Sequence, residues 1–302
     1  MQLLVGEDEC YNQCMFSDRV IQRLRQTQSL LDRLDPQAEP QVYAVPGSPA
    51  PHEDIIVFPG SFNPPTTAHL ALLKQARQFG RLHGGMRVYA AMSKRTTDKE
   101  TVERPLLVDR ILLLDSVLHH HLRHTGILFF NRGLYVEQAE AVRSTFHKVK
   151  RLYFLLGFDK IVQIFDARYY ENRDKALREL FALADILVAP RAGAGPAELS
   201  ALLAQPENAP FAAHVHALPL DASYRDVSSS RVRQSLAAHE QDMPPEVRSF
   251  VRDTQAYAPP VRLADGSIVD VYGERAEAIR NITHANDGRS ACSGRSARYR
   301  PQ

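Results

Sequence analysis

Apolar and polar positions along this chain switch repeatedly between a period of two and a period near 3.6. Ile55, Ile56, Val57 and Phe58 form an uninterrupted, β-rich apolar run, the mark of a strand buried on both faces. Pro59 and Gly60 stop it. Ser61 to Pro65 are turn formers, and two consecutive prolines continue neither a sheet nor a helix interior. After Thr66 and Thr67 the period becomes helical: Leu72, Ala76 and Phe79 share a face with Leu73 beside them, while Lys74 and Arg77 lie off it. The same beat then recurs. Further strands are predicted over 86–92, 126–130, 151–156, 185–189 and 213–218. Helices are predicted over 105–118, 136–146, 160–165, 173–183 and 197–204, and two more, from Ser229 and Pro245, close the region near Tyr257. This alternation predicts an α/β fold built on a doubly wound parallel sheet.

The flanks follow other patterns. From Ser17 a helix is predicted, with Val20, Ile21, Leu24, Leu30, Leu31 and Leu34 on a broad apolar face that packs on the main domain or on a partner subunit of a homo-oligomer. Residues 35–52 carry five prolines and read as a linker. Beyond Pro260, residues 261–272 predict a small hairpin about Asp265-Gly266. From Asn281 onward Ser, Arg, Gly and Ala dominate, and disorder is expected. Three units result: 1–53, 54–258 and 259–302.

Composition narrows the function classes. With 302 residues, 44% of them hydrophobic, the chain can bury a full core. A formal charge of +2 and the lack of a basic stripe interleaved with aromatics point away from nucleic acid. No apolar run approaches a membrane span, and MQLLVGEDECYNQC lacks the basic start of a signal peptide, so a cytoplasmic protein is expected. The three cysteines, Cys10, Cys14 and Cys292, suit free thiols better than a disulfide framework. His120 and His124 stand one turn apart in a spacing that zinc can use, but no third ligand is evident, and imidazoles also suit a helix C-terminus.

The turn at 60–66 has a chemical use. The first N–H groups of a helix are unpaired and carry the positive end of its dipole, so the turn can hold an anion, and His69 falls in that first turn. The simpler alternative is an ordinary βα crossover with a capping threonine. A second helix start, Val227-Ser228-Ser229-Ser230, adds hydroxyls to backbone donors, and Arg233 one turn in can grip phosphate bidentately. Gly157 and Asp159 follow a predicted strand at the edge where open α/β sheets bind ligands. Lys94 and Arg95 follow another strand at that edge, and with Arg110 they are candidates to neutralise a substrate phosphate.

Taken together, these residues resemble a known family. GSFNPPTTAH (60–69) resembles the first motif of the nucleotidyltransferase superfamily, with Ala68 in place of its usual glycine, and Ser228-Ser229-Ser230-Arg231-Val232-Arg233 resembles its second. Gly157-Phe158-Asp159 and Ala189-Pro190-Arg191 look like segments of the nicotinamide and nicotinate mononucleotide adenylyltransferases within it. The resemblance implies adenylyl transfer from ATP to a pyridine mononucleotide with release of pyrophosphate. Mg2+ would accompany ATP with no direct protein ligand. By the same resemblance His69 and Arg233 are catalytic, and Gly60, Ser61, Phe62, Asn63, Thr66, Gly157, Asp159, Arg191, Ser229 and Ser230 bind the nucleotide. One departure concerns the acceptor. The family's Ser-Tyr-Thr…Asp-Thr stretch is replaced by residues 131–137, and its tryptophan is missing, with Phe165 and Tyr169-Tyr170 expected to stack instead. A cytidylyltransferase for a phosphorylated alcohol, or a nucleotide-binding protein without turnover, are the alternatives.

Overall fold

The computed structural model describes residues 16–94 and 104–284. Successive side chains of a strand point to opposite faces, and β2 (Glu53–Pro59) divides accordingly: Ile55 and Val57 enter one core, Ile56 and Phe58 the other. β3 (Arg87–Ser93), β4 (Gly126–Phe130), β5 (Val149–Gly157) and β6 (Asp185–Ala189) split the same way. β1 (Val42–Ala44) and β7 (Val215–Ala217) form the two edges of a sheet ordered β1-β4-β3-β2-β5-β6-β7. Every pairing is parallel except β1 with β4. The chain winds from β2 out to β4, then crosses back to lay β5 on the other side of β2. The winding therefore reverses between β2 and β5, and a reversal of this kind opens a crevice at the strands' carboxyl ends. The doubly wound sheet expected from the alternating periods is the architecture found.

Helices cover both faces. On one lie α1 (Asp18–Arg33), α2 (Thr67–Leu82), α3 (Leu107–His121), α8 (Ser229–Gln234), α9 (Pro245–Thr254) and α10 (Val271–His284). On the other lie α4 (Tyr135–Thr145), α5 (Phe158–Phe165), α6 (Arg173–Leu183) and α7 (Pro196–Leu203). The N-terminal helix packs on the sheet's own helical layer, its Leu24, Leu30 and Leu31 buried in the first core. None of the described helices is long and apolar enough to cross a membrane.

Three expectations need correction. Residues 35–52 are not merely a linker, because Val42, Tyr43 and Ala44 pair with Phe130, Phe129 and Leu128 as an antiparallel edge strand. Three residues between prolines are too few to show a period. Second, of the face expected on α2, Leu73 and Ala76 are buried while Leu72 and Phe79 are only partly buried against the core, and Ala68, Leu70 and Gly80 are buried with them. At Gly80 a Cβ would come within 3.0 Å of the Met86 backbone oxygen, so this glycine lets the returning chain pass close beneath the helix. Third, the hairpin β8 (Val261–Arg262) and β9 (Ile268–Val269) ends before α10, where a hairpin reaching 272 and disorder from 281 were expected. The inner face of α10 includes Ala276 and Ala278, too small to announce an amphipathic helix. Cys10, Cys14 and Cys292 lie outside the described residues.

α10 is fastened through a buried charge. Asp109 is 2% exposed on α3. It accepts from Arg275 at 2.7 and 3.1 Å and from the Tyr272 hydroxyl at 2.9 Å, and that hydroxyl accepts from the Leu106 N–H at 2.6 Å. Arg275 also lies over the rings of Phe16 and Phe250. A buried carboxylate stripped of its cation is strongly penalised. Arg275→Ala is therefore expected to cost about 3–5 kcal/mol of unfolding free energy, measured by urea denaturation; a loss below about 1 kcal/mol would show that the pair is dispensable.

Candidate active site at the sheet's switch point

The site begins with a helix cap. Thr66 is extended at φ −122° and caps α2: its Oγ1 accepts from the His69 N–H at 3.4 Å, while His69 Nδ1 accepts from the Thr66 N–H at 2.9 Å. The imidazole thus fills the place that Glu or Gln takes in the usual capping box. This bond sets the tautomer. A neutral ring whose Nδ1 accepts must carry its proton on Nε2. Burial, with help from the nearby Arg191 guanidinium, pulls the His69 pKa from 6.5 down to about 4, so the ring is neutral at pH 7.

Beneath the imidazole lies an aromatic floor. Phe62 is fully buried, its ring centroid 4.9 Å from that of His69 and edge-on to Phe58 at 5.6 Å. To tuck under, Phe62 adopts φ +46°, in the left-handed region that ordinary residues avoid. A side chain at Gly60 would meet the Phe62 ring at 3.1 Å, which accounts for the glycine. Phe62 was expected to bind nucleotide. Its side chain instead supports His69 from within the core. Ala68, standing where the family motif has glycine, is itself buried at 6% exposure.

The serine-rich second segment docks onto the first. Ser228 caps α8, its Oγ accepting from the Arg231 N–H at 3.3 Å. Ser229 Oγ donates to the Pro64 carbonyl at 2.7 Å, and Arg233 Nη1 donates to the Asn63 carbonyl. Tyr257 joins them by donating to Asn63 Oδ1 at 2.8 Å, and burial holds its phenol well above the usual tyrosine range. Arg110 reaches back from α3 to the Ser61 carbonyl. Three segments distant in sequence, around residues 110, 229–233 and 257, therefore meet at the turn 61–66. Ser61 and Ser230 are exposed there, whereas Ser229 spends its hydroxyl on holding two loops together.

The other wall of the crevice comes from β5 and β6. Arg191 Nε lies 3.6 Å from Asp159 Oδ1, both side chains about half exposed. A Cβ at Gly157 would fall 2.7 Å from that Asp159 oxygen. The electrostatic influence of Arg191 on His69 links this wall to the capped turn.

One acceptor candidate, Lys94, stands elsewhere. Lys94 Nζ donates to the Leu31 and Leu34 carbonyls, each at 2.9 Å, and so closes the C-terminus of α1. Its charge serves a helix end, as unpaired terminal carbonyls invite. Arg95 lies outside the described residues. The histidines at the end of α3 turn to protein partners: His121 Nε2 sits 3.0 Å from Glu246 Oε2, and His120 Nδ1 2.8 Å from the Ser116 carbonyl. Sequence reasoning missed Tyr257, which follows α9 in an aperiodic stretch and carries no signal. It also gave Asp109 no partner, though a lone acid among Leu106, Leu107, Val108 and Ile111 demands a cation.

The histidine's protonation is directly measurable. Side-chain 15N shifts of His69 are expected to show a protonated Nε2 at neutral pH and a midpoint near 4; a midpoint near 6.5 would refute the buried, capped arrangement. Between those two values the unfolded chain holds the extra proton, so His69 makes stability fall as pH drops from about 6.5 towards 4 and leaves it unchanged above.

Comparison with known proteins adds a family to this geometry. A Schizosaccharomyces pombe protein named "Putative nicotinamide mononucleotide adenylyltransferase" is 26% identical over 137 residues, 44% of this chain and 51% of the relative. The chain thus spans about half the length of this curated relative. A solved Vibrio parahaemolyticus structure titled as a "Putative Nicotinate-nucleotide Adenylyltransferase" matches at 13% identity and a TM-score of 0.39, over 66% of this chain and 99% of that one. The fold assignment rests on the strand order given above. The family model described as Cytidylyltransferase-like matches residues 57–235, from the centre of β2 to the end of α8 and more than half of the chain. With that match the chain belongs to the cytidylyltransferase-like family.

Proposed function

We propose that the protein transfers an adenylyl group from ATP to a pyridine mononucleotide, releasing pyrophosphate. The observation that carries this reading is the convergence of His69 and Arg233 on one turn: Thr66 fixes the imidazole, and the Asn63 carbonyl anchors the guanidinium three residues earlier. The named relative supports the choice of acceptor. The reaction needs no protein nucleophile. A phosphate oxygen of the acceptor attacks the α-phosphorus of ATP in line, the bond from that phosphorus to the bridging oxygen breaks, and pyrophosphate leaves with the electron pair.

Each group then has a task. His69 Nε2–H donates to a non-bridging oxygen of the α-phosphate, where charge builds in the transition state. Being neutral, it acts as a fixed donor and not as an acid, and its capping bond spares it reorganisation. Arg233, with Ser230 beside it, holds the β- and γ-phosphates. Arg191 and Asp159, at the ends of β5 and β6, flank the nucleoside. In this reading Mg2+ would accompany ATP, with no direct protein ligand. When bound, it neutralises charge on the triphosphate.

Pyrophosphate release in the presence of Mg2+ tests the reading. With nicotinamide or nicotinate mononucleotide, ATP is expected to support turnover and CTP is not. His69→Ala should lower kcat by roughly 10²–10³-fold, the usual effect of removing one preorganised donor, with circular dichroism unchanged. Turnover with CTP and a phosphorylated alcohol alone would move the protein to the cytidylyl branch; binding of ATP without turnover would make it a nucleotide-binding protein.

A further inference from the structure

The crevice at the sheet's carboxyl edge has two halves, and the groups so far described occupy only one. His69, Arg233 and the turn 61–66 lie over β2, and Asp159 and Arg191 over β5 and β6. Under the adenylyl-transfer reading, the remaining half, over β3 and β4, is the place left for a second substrate. That half is not bare. The residues that follow those two strands, Lys94, Asn131 and Arg132, all bind the backbone of residues 31–41.

Lys94 holds the Leu31 and Leu34 carbonyls. Asn131, fully buried, donates to the Asp35 and Glu39 carbonyls at 2.8 Å each and accepts from the Gln41 N–H at 2.7 Å. Arg132 donates to the Ala38 carbonyl from Nε at 3.1 Å and from Nη2 at 2.9 Å, while Nη1 bonds Glu137 at 2.9 Å. β1 then continues the same stretch along the edge of β4. Three side chains thus fix residues 31–41 across the carboxyl ends of β3 and β4. Because they read backbone carbonyls, they set where the strap lies whatever its side chains are.

We propose that residues 31–41 form a wall of the acceptor half of the crevice, with Asn131 and Arg132 as the positioning residues that hold this wall in place. The inference rests on the adenylyl-transfer reading, and deepens it. The N-terminal strap then decides which phosphomonoester fits, separately from the machinery that handles ATP. A substrate entering over β3 and β4 meets a surface fixed by about one hydrogen bond at nearly every second strap residue, and so meets a rigid one.

The test uses the full chain with three acceptor probes: nicotinamide mononucleotide, nicotinate mononucleotide and glycerol 3-phosphate. Hydrogen exchange of the amides of 31–44 is followed with each probe and, separately, with an α,β-methylene analogue of ATP. The acceptor that is turned over is expected to slow exchange in the strap, and the ATP analogue is not. Arg132→Ala, chosen because Asn131 variants risk failing to fold, should raise the acceptor KM about tenfold and leave the ATP KM within about twofold, as loss of strap contacts worth that factor would. Arg132→Lys should restore part of the difference. Turnover with an unprotected strap, or an acceptor KM that is unchanged or lower in Arg132→Ala, overturns the wall and leaves the reaction standing. Turnover of glycerol 3-phosphate alone overturns the pyridine reading, and the strap is then judged by that probe. No turnover with any probe overturns both.

Discussion

The site depends on a dock between two loops that are far apart in sequence. Ser229 and Arg233 each donate to a carbonyl of the turn that follows β2, one to Pro64 and the other to Asn63. The turn carries two successive prolines, which contribute no N–H to a ladder, and α8 has only six residues, too few to be stable without packing. Joined, they satisfy each other's polar groups and bring a guanidinium to the same few residues that fix an imidazole. Tyr257 secures the Asn63 side chain and closes the arrangement from the C-terminal side.

His69 shows how a local helix rule becomes chemistry. A capping box normally ends a helix quietly. With imidazole as its reciprocal member, the same geometry orients a ring and selects a tautomer. Desolvation then keeps the ring uncharged. The positive charge at the crevice is left to arginines, whose protonation does not vary over the pH range in which enzymes work. The aromatic floor of Phe62 and Phe58 belongs to the same arrangement, since the Phe62 ring packs directly against the imidazole.

Most of the sheet could be read in the sequence because its central strands are buried on both faces and appear as unbroken apolar runs; 126–130 and 185–189 were placed to the residue. Elements at the periphery were harder. β1 has three residues, and the buried face of α10 mixes Ala276 and Ala278 with Tyr272, Ile279 and Ile282. For the candidate site, residue type singled out His69 and Arg233 as candidates, but it could not tell that the Phe62 ring lies in the core or that the Ser229 hydroxyl bonds the Pro64 carbonyl, because aromatic and hydroxyl side chains look the same in a sequence whether they face a ligand or a neighbouring loop. Lys94 misled for the same reason. A cation after a parallel strand suggests a phosphate, and only the position of α1 shows that its partners are two backbone carbonyls.

The bond between Asp109 and Arg275 also has a bearing on how the chain is made. A ribosome delivers α3 long before α10, and during that interval a carboxylate destined for the interior has no counter-ion and must stay hydrated. Until α10 is made, Asp109 lacks both side chains that donate to it, Tyr272 and Arg275. A nascent chain that stops before residue 275 would carry this carboxylate without its guanidinium partner, a state that a closed core disfavours.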